Sequence, residues 1–164
     1  MTSPTTVVLE TDHKRFVSAL ERLRDEANSK FAFLLDKNGQ QIASSGSLEE
    51  ADPTALASLA AGNVAATEGL AQLIGEPEFS TLFHEGRNDS LHISLISDKV
   101  ILLVIFDEHS SLGLVRLRVK QRTEELESIV SAMESRSKAT AEEAPAAAGG
   151  LSEITDEDID ALFG

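Results

Sequence analysis

Residues 99–106, KVILLVIF, are apolar at every position after the lysine. A strand with that composition on both alternations must be covered on both faces, so this stretch predicts a central strand with helices on either side of its sheet. Just upstream, residues 90–97 (SLHISLIS) and 79–85 read as two further strands. Ser97-Asp98 and Gly86-Arg87-Asn88-Asp89 mark the turns between the three. Nearer the N-terminus, residues 30–36 (KFAFLLD) and 40–45 flank Lys37-Asn38-Gly39, a hairpin signal because Asn and Gly both tolerate positive φ.

Three helices complete the set. In residues 11–29, Phe16, Val17, Leu20, Leu23 and Ala27 recur at helical spacing behind Thr11 or Asp12 as cap. Asp52-Pro53 opens a second helix that runs to about Gly75. After Ser110, residues 114–120 alternate as a strand would. Followed to Met133, however, Leu112, Val115, Val119, Leu126, Ile129 and Met133 keep a three-four spacing broken only by Arg122, which reads as a long last helix. The fold class is α/β of the α+β type: a five-stranded antiparallel-type sheet with helices packed on it, in the order α-ββ-α-βββ-α. The domain occupies residues 11–136, after a flexible stretch 1–10. Residues 137–150 (SKATAEEAPAAAGG) read as a flexible linker, and 151–164 as a C-terminal docking helix.

Composition narrows the function. The net charge of −14 repels phosphate backbones and anionic bilayers, so neither nucleic acid nor membrane insertion is expected. With no cysteine there is no disulfide, thiolate nucleophile or Cys-ligated metal, and with no signal-peptide pattern the expected location is cytoplasmic. The four histidines lie far apart, without ligand spacing, and no phosphate-cradling loop or nucleophile elbow occurs. No catalytic residue, metal or cofactor is expected. Asp107-Glu108-His109-Ser110 holds triad residue types, but as sequence neighbours they read as a polar loop ending a strand.

The second helix is the informative element. At 100° per residue, Leu56, Leu59, Ala60, Leu70 and Ile74 share one face, taken here as the core face, and Ser58, Gly62, Ala65 and Gly69 lie opposite. Residues 53–67 carry no charge, and each interior glycine costs about 1 kcal/mol relative to alanine. Either this is a mild defect in an Ala-rich helix, or another helix or backbone packs closely on the bare face. Arg116, Arg118, Lys120 and Arg122 concentrate positive charge at the start of the last helix, with Lys14-Arg15 elsewhere. That set is either solvated surface or a pointer to an acidic partner. At the C-terminus, Thr155 can cap a helix whose Ile159, Leu162 and Phe163 share an edge, with Ile154 just before it. A helix this short is marginal alone, so it reads as a helix-in-groove ligand or as a tail folded on its own domain.

The element order, with DKNGQQIASSG, LASLAAGNVAATEGLAQLIGE, FHEGRNDSL, VIFDEHSSLGLVRLRVK and SEITDEDIDALF, resembles the Roadblock (dynein light-chain type) family in its bacterial cell-polarity branch. The resemblance covers nearly the whole chain. It implies a homodimer that binds a Ras-like small GTPase of the MglA type, one GTPase per dimer, and activates it without an arginine finger, in control of polarity and gliding motility at a cell pole. By position, Ala65 and Gly69 match the family's GTPase-contacting helix and Arg116 a contacting basic residue, with Arg118 and Lys14 as further GTPase-binding candidates. Gln121 stands where the family has a lysine, which removes one charge contact. The tail, through Ile154, Ile159, Leu162 and Phe163, matches a helix that docks on a second GTPase surface. The rival is an adaptor whose tail recruits response-regulator-type polarity or flagellar and chemotaxis proteins.

Overall fold

The computed structural model describes residues 10–49, 51–79 and 81–143, the side chains of 140–143 excepted. The elements are α1 (Glu10–Glu26), β1 (Phe31–Asp36), β2 (Gln41–Gly46), α2 (Pro53–Ile74), β3 (Thr81–Glu85), β4 (Ser90–Ile96), β5 (Val100–Phe106) and α3 (Leu112–Glu143). The chain divides into two units. Val8–Val130 holds the sheet, α1, α2 and the first part of α3. Met1–Val7 with Ser131–Gly164 form the other, of which the described part is the end of α3.

All five strands are antiparallel neighbours, in the order β2-β1-β5-β4-β3. β5 is central as its composition demands, and all seven of its residues are buried. Its two neighbours are fixed in register by Ala32 opposite Val104 and His92 opposite Val104. One face of the sheet presents Phe31, Phe33, Leu35, Ile93, Ile101, Leu103 and Ile105 to Ala57, Ala60, Ala61 and Val64 of α2. The other carries α1 and α3. There Arg24 of α1 donates to Ser45 Oγ on β2 at 2.9 Å. Arg122 of α3 places its guanidinium fork on Glu26 of α1, with Nε to Oε2 at 3.1 Å and Nη2 on Oε1. The residue that interrupts the apolar stripe of α3 is thus the one that answers α1, and the stripe around it (Val115, Val119, Leu126, Ile129, Val130) is buried. The Arg122 fork holds the Glu26 carboxyl below the usual carboxylate range.

Turn chemistry accounts for most connections. The β1–β2 loop is not the two-residue turn that Asn-Gly suggests. Asp36 N donates to Gln40 O, and Asp36 Oδ1 accepts from Asn38 N and Gln40 N, both at 2.9 Å. Gly39, at φ 87°, supplies the one left-handed residue, and register slips between Leu34 and Leu35. Between β4 and β5, Ser97 and Asp98 both take positive φ, with Lys99 N returning to Ile96 O at 3.3 Å. α2 starts as read: Asp52 is its N-cap, its side chain accepting from Thr54 N at 3.0 Å, and Pro53 follows.

At the C-terminal end the structure departs from the expected linker. α3 continues through 137–143, so the first half of that stretch is helical. Its Lys-Ala-Thr-Ala-Glu-Glu composition has high helix propensity, and the first proline comes only at 145. The rest of the linker and the docking segment 151–164, with Ile154, Ile159, Leu162 and Phe163, lie outside the described residues.

At Gly46, φ is 98° and an added Cβ would come within 2.3 Å of Lys30 O. Replacing Gly46 by Ala is therefore expected to cost about 2 kcal/mol or more of unfolding free energy, read by urea titration. Loss below about 0.5 kcal/mol would mean the β1–β2 ladder relaxes there without strain.

Candidate functional site

The structure turns α2 around relative to the sequence expectation. Its buried residues are Ala57, Ala60, Ala61, Val64 and Ala71. Of the five assigned to the core face, Ala60 is buried and Leu56 partly so, but Leu59, Leu70 and Ile74 are exposed, Leu59 to 74%. The reason is volume. The sheet face under α2 already supplies Phe31, Phe33, Leu35 and four branched aliphatics, so only alanine-sized residues and one valine fit between helix and sheet. The large aliphatics are displaced to the outside, and size alone misassigned the face.

The expected small-residue face is exposed as anticipated. Gly62, Ala65 and Gly69 are all exposed, and a Cβ built at Gly62 or Gly69 would meet nothing within 4 Å. Leu59, Gly62, Ala66, Gly69 and Leu73 follow the helical repeat along one outward stripe, with Ala65 beside it. This stripe carries no charge. The one ionisable residue of α2, Glu68, is half-buried and held by Lys37 Nζ at 2.7 Å. Below the stripe the sheet ends in β3, whose outer side is a free edge; Phe83 of β3, 39% exposed, lies on the opposite face of the sheet, stacked on Phe106 at 6.1 Å. Leu73, Ile74 and Phe79 extend the apolar surface from the end of α2 toward that edge. Exposed large aliphatics beside an unpaired strand edge make the stripe and edge a candidate interaction surface.

The basic candidates stand elsewhere. Arg116 and Arg118 are on α3 and Lys14 on α1, both helices on the face of the sheet opposite α2. One protomer therefore does not bring them together with Ala65 and Gly69. Arg116 is exposed and raises the cost of charge on His92 beneath it. Arg118 donates from Nη1 to Gln121 Oε1 at 3.0 Å, while its Nε is buried without a partner. Lys14 reaches Glu10 at 3.7 Å in solvent.

His92 of β4 is 2% exposed, between β4 and α3, and its Nδ1 has no partner among the described residues. Burial first, and Arg116 second, push its pKa down to about 4. Among the described residues no cluster of His, Asp and Glu could hold a metal ion, and no helix is long and apolar enough to cross a membrane. Asp107 and His109 do meet, His109 N and Nδ1 both lying 2.9 Å from Asp107 Oδ1. That contact lowers the Asp107 pKa, raises that of His109, and caps a surface turn.

Two expectations follow. Because the folded His92 titrates below its unfolded counterpart, its contribution is present above pH 6.5 and lost as pH falls toward 4. Wild type should lose about 3 kcal/mol more over that window than His92→Leu, measured by paired urea titrations. Equal slopes would show that His92 charges freely in the fold. Gly62→Ala and Gly69→Ala should each stabilise by about 0.5–1 kcal/mol, since both sit in a helix with open space at Cβ. A gain in stability with a loss of partner binding is the signature of a face kept bare for close approach.

A Roadblock/LC7 domain model matches residues 16–106. Among solved structures, MglB of Myxococcus xanthus is 50% identical, covering 77% of this chain and 96% of that one, with TM-score 0.73. The gliding protein MglB from Thermus thermophilus is 32% identical over 80% of this chain and 99% of its own, at TM-score 0.72. A structure described as MglB with tetrameric arrangement is 31% identical, with the same coverage and TM-score 0.75. No curated protein sequence matches significantly.

Proposed function

We infer the function from one premise: the chain belongs to the Roadblock/LC7 family, in its MglB branch. The proposed role is regulatory: a GTPase-activating protein for a Ras-like small GTPase of the MglA type. It acts in the cytoplasm as a homodimer, controls cell polarity and gliding motility, and concentrates at a cell pole. The observation that carries this reading is the outward stripe of α2, uncharged and bare of side chain at Gly62 and Gly69. Such a surface lets a partner's backbone approach the helix closely, which a switch segment requires and a solvated helix face does not. The free β3 edge and the exposed Leu73, Ile74 and Phe79 support the homodimer, since a second copy can pair the edge and cover that apolar end.

Activation without an arginine finger also has local support. α2 contains no Lys or Arg at all, and the cations Arg116, Arg118 and Lys14 lie on the opposite face of the sheet. Ala65 and Gly69 would therefore act by shape. They hold the switch segments so that the GTPase's own groups orient the attacking water, the positioning and preorganisation on which phosphoryl transfer depends. Arg116 and Arg118 are secondary contacts in this proposal, and the segment 151–164 docks a second GTPase surface.

Single-turnover GTP hydrolysis by the cognate GTPase, with and without this protein, tests the reading. Acceleration is expected, with a loss of about tenfold or more in Ala65→Arg and in Gly69→Arg while their urea midpoints hold. Binding without acceleration in the unmodified protein would replace the activator by an adaptor. An Ala65→Arg protein that still accelerates would displace the contact from α2.

A further inference from the structure

α2 carries one ionisable residue, Glu68, and it stands at the flank of the bare stripe. It directly precedes Gly69 and follows Ala65 by three residues, a spacing that makes two positions neighbours on a helix surface. Its carboxylate does not stand free. Lys37 Nζ donates to Glu68 Oε1 at 2.7 Å, a charge-assisted hydrogen bond closer than that of Lys30 to Asp89 at 3.2 Å. The lysine is delivered by a turn built against α2. Asp36 Oδ1 fixes that turn by accepting from Asn38 N and Gln40 N. Gly39 then lies so near the helix that an added Cβ would come within 3.3 Å of Ser58 Cα.

Stability does not explain the pair. Its side chains are 38% and 42% exposed, and an ion pair that wet contributes little to folding. Its consequence arises when the stripe is covered. A partner backbone seated on Gly62 and Gly69 takes water from the flank where Glu68 stands. A carboxylate desolvated without its cation opposes association strongly, and a neutral hydrogen-bonded pair does so far less. A bound nucleotide in the partner, itself anionic, adds repulsion against any uncancelled carboxylate. We propose that Lys37 is a positioning residue for the α2 surface. It neutralises the Glu68 carboxylate and holds it toward the β1–β2 turn, so that the stripe meets its partner uncharged. The role rests on the GTPase reading of that surface and extends the contact to a residue outside α2. Ala65 and Gly69 act by shape, and Lys37 acts by cancelling the one charge beside them.

Two measurements on the full-length protein test this: its affinity for an MglA-type GTPase loaded with a non-hydrolysable GTP analogue, and single-turnover GTP hydrolysis at rising concentrations of the protein. Lys37→Met is expected to raise the dissociation constant and the half-saturating concentration about tenfold. The maximal rate and the urea midpoint should hold, the pattern of lost binding and not of lost chemistry. Adding Glu68→Gln to Lys37→Met should bring affinity back to within about threefold, because the stranded charge is gone although the tie is gone too. Lys37→Arg should retain affinity, since it keeps the cation. Full affinity in Lys37→Met would overturn the proposal while leaving the GTPase reading standing. A double variant as weak as Lys37→Met would also overturn it, by showing that the tie to the turn matters and the charge does not. An unmodified protein that does not bind the GTPase at all defeats the functional reading and this inference with it.

Discussion

Burial of β5 on both of its faces is the constraint from which the other features descend. A strand of seven buried residues cannot sit at an edge or leave one side in water, so it takes the middle of the sheet and requires a helical layer above and below. Three helices must then share two faces. α1 and α3 share one and are joined there by the Arg122–Glu26 fork, while α2 covers the other alone. A single helix cannot cover five strands. β3 is therefore left with a free edge, and the surface on which the functional proposal rests is a by-product of that division of labour.

The same constraint dictates the character of α2. Because the sheet brings the bulk, the helix contributes alanines and sits close to it, and its leucines are turned outward where they gain nothing from folding. Stability and interaction are thus divided between the two sides of one helix. Its underside can be altered only at the expense of packing, whereas its outer side is free to answer to a partner.

How much of this was legible in the sequence varies by element. The strands were readable because composition and turn residues agree: KVILLVIF could be nothing but central, and Asp52-Pro53 gave the start of α2 by a mechanism that needs no tertiary context. The inner face of α2 was not readable, since helical periodicity orders residues around an axis without saying which side meets a sheet already full of phenylalanine. His92 was hidden for a related reason: alternation in β4 places it on a face, but only α3 lying over that face makes it buried. Arg122 looked like a break in a pattern and is an ion pair with a residue 96 positions away, information that no local window contains. Ala65 and Gly69 were singled out by the one signal that survives without a fold, the lack of charge and bulk on a long helix, and the structure leaves both exposed. Their separation from Arg116, Arg118 and Lys14 by the thickness of the sheet was invisible until the layers were known.

The pairing of β1 with β5 also has a bearing on how the chain comes into being. Phe31 meets Ile105 roughly 70 residues later, so the FAFLL run of β1 leaves the ribosome with β2 and α1 for company and without the neighbour that shields its other side. At ordinary elongation rates of about 5–20 residues per second, that interval lasts several seconds, far longer than a hairpin needs to form. For those seconds the nascent hairpin displays a sticky flank. Synthesis tempo and chaperone capture thus bear on this domain's yield independently of how stable it is once β5 arrives.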